Sequence, residues 1–124
     1  MHELSIATEV YETCRVRLRA HEPGRLDTVR LAVGERSAVE PDLLRYAWQA
    51  VTSGGPDDGS QLEIEWRPAH QVCAGCGEIP ERATGTWLRL CPRCGHALHI
   101  EGGDELDILH FTFTPLAGRE TSLP

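Results

Sequence analysis

The chain has 124 residues, and its 19 acidic side chains outnumber its 12 Lys and Arg side chains, giving a net charge of −7. This length accommodates one domain with a small appendage but not two full domains. The negative charge would repel phosphate backbones, so nucleic acid is not an expected partner. No apolar run approaches the roughly 18 residues of a membrane span, and no basic segment of a signal peptide opens the chain. We therefore expect a cytoplasmic protein without a membrane span.

The first predicted element is an amphipathic helix over residues 4–19. Apolar side chains recur there at steps of three or four, at Leu4, Ala7, Tyr11, Cys14 and Leu18. Pro23 and Gly24 end this pattern. The next segment, TVRLAVG at 28–34, alternates apolar and polar residues and predicts a half-buried strand.

A second helix is predicted to begin at Pro41, because proline fits the first helical position. Glu40 then stands at the N-cap and Asp42 in the first turn, where acidic groups stabilise the positive end of the helix dipole. The apolar face of this helix is expected to contain Leu43, Tyr46, Ala47, Ala50 and Val51. The turn-rich SGGPDDGS at 53–60 predicts the loop that follows.

Two further strands are predicted, LEIEW at 62–66 and LDILHFTF at 106–113, with a flexible tail from about residue 114. The order helix, strand, helix, strand, insert, strand predicts an α+β fold in which two helices cover one face of a single sheet. Residues 70–100 lie outside this sheet. We therefore divide the chain into an α/β domain, 1–69 and 101–124, and an inserted unit, 70–100.

The insert contains two CxxC motifs, whose ligands are Cys73, Cys76, Cys91 and Cys94. Each motif directs two thiolates toward one ion, and two motifs complete a tetrahedral Zn(II) site. Four thiolates leave no open coordination position, which predicts a structural role for the metal. A redox-active CxxC and chance spacing are the alternatives.

Two other side chains near these patterns have simpler interpretations. His96 follows the second CxxC, where it would replace a thiolate, lie beside the site, or be exposed to solvent. Cys14 lies on the apolar stripe of the first helix and is expected to be a small buried hydrophobic residue.

The amino terminus offers a different set of ligands. Removal of the initiator methionine generally requires a small second residue, so the bulky His2 predicts that Met1 is retained. The terminal amine, the His2 backbone nitrogen and the His2 imidazole can then chelate one ion, and such nitrogen donors favour Ni(II) or Cu(II). Glu3 is adjacent, and Glu40 would join it if the two helices begin side by side. The alternative is an ordinary polar residue at a frayed terminus.

Five motifs together resemble the HypA/HybF family of hydrogenase maturation factors, from residue 1 to about 113. They are the amino-terminal MHE, GERSAVEPDLLRYAW at 34–48, the LEIEW strand, the double CxxC and GGDELDI at 102–108. The resemblance implies a mixed three-stranded sheet with two helices and an inserted zinc-ribbon-like four-cysteine domain. It also implies a nickel metallochaperone that delivers Ni(II), with a HypB-family GTPase, to the large-subunit precursor of NiFe-hydrogenase. Some family members also serve urease.

By position, the resemblance assigns nickel to Met1, His2, Glu3 and Glu40, and structural zinc to the four cysteines. Histidines are not all expected at His70, His96, His99 and His110, where they are either auxiliary nickel contacts or solvated and packing residues. The oligomeric state stays open between monomer and homodimer.

Two other classes of function are weighed against a nickel carrier. A zinc-ribbon adaptor without a nickel function would use the insert to bind another macromolecule. An enzyme is not expected and no catalytic residue is assigned, because the sequence has no nucleophile motif, phosphate loop or HExxH pair.

Overall fold

A computed structural model describes residues 2–82 and 86–115. In chain order the elements are α1 (His2–His21), β1 (Gly24–Gly34), α2 (Pro41–Thr52), β2 (Gln61–Arg67), β3 (His70–Cys73), β4 (Gly77–Ile79), β5 (His99–Glu101) and β6 (Leu106–Pro115). Neither described helix is long and apolar enough to cross a membrane. β6 continues two residues beyond the predicted strand, and the rest of the predicted tail lies outside the described residues.

The larger sheet has the strand order β2-β1-β6, with β1 parallel to β2 and antiparallel to β6. Two parallel neighbours need a crossover connection, and α2 supplies it. The mixed three-stranded sheet implied by the family resemblance is therefore confirmed. β1 begins earlier than predicted, because a register shift between Leu26 and Thr28 interrupts the period-two pattern by which strands are recognised.

α1 and α2 pack together against the larger sheet and enclose the main core. From β1 the buried side chains are Leu26, Val29, Leu31 and Val33. The predicted stripe of α1 is confirmed at Ala7, Cys14 and Leu18, which are buried, whereas Leu4 is exposed. α1 thus begins at one end of the sheet and returns the chain to the start of β1 at the other.

The buried face of α2 agrees only in part with the predicted face, since Ala47 and Val51 pack against the core as predicted. Leu44, Trp48 and Thr52 are buried, whereas Leu43 is 54% exposed and Tyr46 is 72% exposed. The Trp48 ring packs edge-on against the ring of Tyr11 on α1, with centroids 5.7 Å apart. With Trp48 packed against Tyr11, α2 is oriented so that Leu43 and Tyr46 face solvent.

The segment between β2 and β6 forms a second, smaller antiparallel sheet with the order β4-β3-β5. Its buried cluster consists of Cys73, Ile79 and Cys91, with Leu88 and Leu98 packed beside them. So few apolar side chains bury little surface, which agrees with the prediction that a metal ion stabilises this segment.

Glu35 connects the two sheets at the end of β1. One carboxylate oxygen accepts a hydrogen bond from the Ala69 backbone N–H at 3.0 Å, and the other pairs with Arg82 at 2.9 Å. The backbone at Gly103 passes close to Ala69 here, and a Cβ atom added at Gly103 would lie 2.5 Å from the Ala69 Cβ. Gly103 also has a φ of +77°, which favours glycine. This junction positions the small sheet against the end of the large one.

Candidate metal centres

The four cysteines of the CxxC motifs converge on one point. Cys73 ends β3, Cys76 lies in the turn to β4, and Cys91 and Cys94 share a turn that hydrogen bonds Gly95 N–H to Cys91 O at 2.9 Å. Their sulfur atoms all lie within 4.8 Å of one another. Zn–S bonds of about 2.3 Å in a tetrahedron place sulfurs about 3.8 Å apart, so the cluster fits one zinc ion.

Backbone N–H groups prepare two of these thiols to ionise. Hydrogen bonds from the N–H groups of Cys76 and Gly75 lower the pKa of Cys73. Burial opposes ionisation of Cys91, but the N–H groups of Arg93 and Cys94, together with the Cys94 and Cys73 thiols, lower the pKa of Cys91 to about 7. Because the thiolate is the form that binds a metal, these contacts favour ligation by Cys73 and Cys91, whereas contacts with the neighbouring thiols raise the pKa of Cys76 to about 12.

His96 and Cys14 lie in different environments. His96 is exposed, and its Nδ1 lies 3.2 Å from Cys94 Sγ, so it borders the cluster from the solvent side. Cys14 is fully buried in the main core, and burial raises its pKa to about 11. The prediction for Cys14 as a small buried hydrophobic residue is confirmed.

Three of the predicted nickel ligands lie where α1 and α2 begin. The Glu40 backbone N–H donates to Glu3 Oε2 at 3.1 Å, which joins the two helix starts. His2 Nδ1 lies 3.9 Å from the same Glu3 oxygen, and its side chain is about half exposed. Met1, the fourth predicted ligand, lies outside the described residues.

The two carboxylates at this corner have separate structural contacts. Glu40 is the N-cap of α2, as predicted, and its Oε1 accepts from the Asp42 backbone N–H at 2.9 Å. The hydrogen bond from the Glu40 N–H lowers the pKa of Glu3, so Glu3 is a carboxylate at neutral pH. The corner therefore offers an imidazole and two carboxylates at the surface of the α/β part.

Three further histidines that the sequence analysis named lie on strands. His70 and His99 are on the small sheet, and His110 is on β6. Glu78 and Glu101, which pair with His70 and His99, were not singled out from the sequence. The alternation in His99-Ile100-Glu101 was the available signal for a shared face.

Comparison with known proteins agrees with this architecture. Residues 1–113 match a family model described as "Hydrogenase/urease nickel incorporation, metallochaperone, hypA". A protein named hydrogenase maturation factor HypA, from Alkalilimnicola ehrlichii, is 38% identical over 109 residues, covering 87% of this chain and 95% of its own length. The protein of the same name from Azotobacter vinelandii is 34% identical over the same shares of both chains.

Two solved structures share the fold. A solution structure of the Ni metallochaperone HypA from Helicobacter pylori aligns with a TM-score of 0.59 at 19% identity, covering 91% of this chain and 97% of that one. A second solution structure, titled HypA protein, aligns with a TM-score of 0.63 at 20% identity, covering 92% and 97%. The α+β fold is thus shared over nearly all of each chain.

Proposed function

Because the chain belongs to the HypA family of nickel-incorporation metallochaperones, we propose that it binds Ni(II) at its amino-terminal MHE and delivers the ion during hydrogenase maturation. The family acts as a maturation factor and not as a catalyst. The observation that carries the proposal for this chain is the 3.1 Å hydrogen bond between Glu40 N–H and Glu3. It gathers His2, Glu3 and Glu40 at one exposed corner.

The start of α1 suits a chelate that uses a backbone nitrogen. The first four N–H groups of a helix have no partner within it, so the His2 amide can lose its proton without breaking a helical hydrogen bond. The positive end of the helix dipole favours the resulting negative charge. The terminal amine of Met1, the His2 amide nitrogen and the His2 imidazole then form a nitrogen set that Ni(II) accepts.

Glu3 and Glu40 complete this proposed site in different ways. A carboxylate from Glu3 offsets the positive charge of the ion near the helix terminus, where a cation alone is disfavoured. One oxygen of the Glu40 carboxylate caps α2. The other oxygen is then the one that would bind the ion. An exposed site of this kind can be approached by a partner that takes the ion without unfolding the carrier.

We assign Zn(II) to the four cysteines as a structural ion. The support is the convergence of the four sulfur atoms and the absence of a free position in a tetrahedral four-thiolate site. Residues 1–69 with 101 onward then act as the nickel-binding unit, and residues 70–100 as the zinc-binding unit.

The family role also suggests the partners. We propose a HypB-family GTPase as the companion in delivery and the NiFe-hydrogenase large-subunit precursor as the recipient, in the cytoplasm where such precursors are made. Urease is a further client to test, because the family description names both enzymes.

The proposal is tested by calorimetric titration of Ni(II) into untagged, zinc-loaded protein. His2→Ala is expected to weaken the tightest binding event at least about 100-fold, because it removes a ligand of the chelate. His110→Ala is the matched control, since His110 is an exposed histidine on β6. Tight binding that survives His2→Ala with zinc unchanged would reject the amino-terminal site. Absence of tight Ni(II) binding in the unaltered, zinc-loaded protein would favour a zinc-ribbon adaptor.

A further inference from the structure

One face of the small sheet carries a cluster of metal-binding side chains that neither proposed site uses. Successive side chains of a strand point to opposite faces, so the exposed positions of the three strands share one face. Its members are His70 on β3, Glu78 on β4, and His99 and Glu101 on β5. The other face bears the buried side chains of Gln71 and Ile79.

The strand register brings these four side chains into a continuous row. His70 is paired directly with Glu101, and Val72, two residues along β3, is paired with both Glu78 and His99. Directly opposite residues of an antiparallel pair have Cβ atoms about 5 Å apart. His70 and the His99–Glu101 pair are therefore neighbours on the surface.

Each histidine already contacts a carboxylate. His70 Nδ1 lies 2.8 Å from Glu78 Oε2, and His99 Nε2 lies 2.7 Å from Glu101 Oε2. The four side chains are between 47% and 60% exposed, so no packing prevents their rotation. Within residues 2–82 and 86–115 only the cysteines bring three or more candidate ligand atoms within 4.8 Å, so closure here requires the side chains of His99 and Glu101 to turn toward His70 Nε2.

We propose that this face is a further site for a divalent first-row transition metal, with His99 Nε2, Glu101 and His70 Nε2 as its protein ligands. Two ligands at about 2.1 Å on adjacent positions of one metal are about 3 Å apart, close to the spacing of His99 and Glu101. Two imidazoles and a carboxylate suit Ni(II), Cu(II) or Zn(II) rather than the hard cations Mg(II) and Ca(II).

Glu78 acts in this site as a positioning residue. A histidine that binds a metal through one ring nitrogen usually donates the N–H of its other nitrogen to a carboxylate, which fixes the tautomer and the ring orientation. The contact between His70 Nδ1 and Glu78 provides this arrangement and leaves Nε2 free. Loss of such a partner typically weakens metal binding about 10–100-fold.

This inference does not rest on the amino-terminal nickel site, and its test removes that site first. In zinc-loaded full-length protein carrying His2→Ala, we expect Ni(II) to bind at one equivalent and to broaden the histidine ring NMR signals of His70 and His99 before the others. High-spin Ni(II) with three protein ligands and water is paramagnetic and reports its nearest protons.

Variants in the same background then identify the ligands. His99→Gln should weaken this binding at least about 10-fold, since glutamine keeps a polar contact to Glu101 but does not replace imidazole. Glu78→Gln should weaken it about 10–100-fold, and His110→Ala should leave it unchanged. Equal broadening of all histidine signals, or unchanged binding in His70→Ala with His99→Gln, would overturn the proposal. Zinc content, measured in each variant, shows that the small sheet is intact.

Discussion

The α/β part and the four-cysteine insert are stabilised by different forces. Among the described residues, the main core holds eleven buried apolar side chains, from Ala7 on α1 to Leu62 on β2. The insert holds three, and two of them are Cys73 and Cys91. Burial of apolar surface supplies the first part with its folding free energy, whereas the second is expected to depend on ligation of the proposed metal.

This difference predicts that the two proposed metal sites differ in how readily they release their ions. The proposed zinc ion would stabilise the unit that holds it, so this ion is expected to stay bound. The nickel corner lies on a unit that is stable without its ion, so the ion can leave without a folding cost. Breaking either unit alone therefore tests whether the two are independent.

The largest effect is expected from breaking the zinc site with Cys91→Ser. Zinc modules of this size gain on the order of 10–16 kcal/mol from their ion, so the insert should unfold while the α/β part stays folded. Hydrogen exchange should show lost protection at β3–β5 only. Cys14→Ala is the control, since it removes a cysteine of the main core and should retain one zinc per chain. A single transition that unfolds both parts together would contradict the comparison.

Asp57→Ala should break the α/β part and spare the insert. Asp57 is fully buried and accepts hydrogen bonds from Leu26 N–H at 2.7 Å and the Tyr11 hydroxyl at 2.5 Å, with Arg15 at 3.3 Å. Removing the carboxylate leaves the buried Leu26 N–H and the part-buried Tyr11 and Arg15 donors without this partner, at a cost of about 2–4 kcal/mol. Urea unfolding measures this loss, with zinc content unchanged.

Asp58→Ala is the matched control for Asp57→Ala. The Asp58 carboxylate accepts only an exposed contact from Gly54 N–H at 3.0 Å, so its loss should cost less than about 1 kcal/mol. Equal losses in the two variants would mean that burial of Asp57 does not matter.

Glu35 lies at the junction between the two parts and tests how they are joined. Its ion pair with Arg82 and its hydrogen bond from Ala69 lower the pKa of Glu35 below 4.5. Because the pKa of Glu35 is lower in the folded chain than in the unfolded chain, the ion pair stabilises the folded state fully at pH values above the unfolded-state pKa. This stabilisation is about 1 kcal/mol or less for a partly exposed pair. It is lost as the pH falls through the folded-state pKa.

NMR titration of the Glu35 carboxyl measures this pKa directly. Arg82→Gln removes the larger cause and should raise the value toward 4.5. A Glu35 pKa that is the same with and without Arg82 would show that the ion pair does not form in solution.

The smallest effect is expected in the loop before α2. Ala38 has a φ of +63°, a left-handed conformation that costs L-residues about 1–2 kcal/mol. Ala38→Gly relieves this strain but adds freedom to the unfolded chain, so a net stabilisation of about 0.5 kcal/mol is expected in urea unfolding. Ala50→Gly, at an exposed position inside α2, should instead destabilise by about 1 kcal/mol.

The sequence predicts the elements and ligands whose signals are local. Residue spacing predicts both helices, the strands of the large sheet and the four cysteines, and Pro41 correctly predicts Glu40 as an N-cap. The predicted apolar face of α2 was right at Ala47 and Val51 but wrong at Leu43 and Tyr46, because the apolar residues of this helix form two neighbouring stripes. The stripe that is buried contains Leu44 and Trp48, and the Trp48 ring packs against the ring of Tyr11.

Other features depend on contacts between distant segments. Nothing local indicates that Glu35 reaches Arg82, or that His70 on β3 lies opposite Glu101 on β5. Short strands such as β4 and β5 have three residues each, too few for their alternation to predict a strand, so the small sheet was predicted only as a metal-binding unit. Its strand register depends on the pairing of β3 with β4 and with the more distant β5.

The most direct test of the central claim adds one residue before Met1 and titrates Ni(II) into the zinc-loaded protein. This extension leaves every side chain in place but moves the terminal amine away from the His2 amide and imidazole. The account predicts that the tight Ni(II) event weakens at least about 100-fold, since the fused chelate can no longer form, while zinc content and unfolding free energy stay the same. Unchanged nickel affinity in the extended protein would contradict an amino-terminal nickel site.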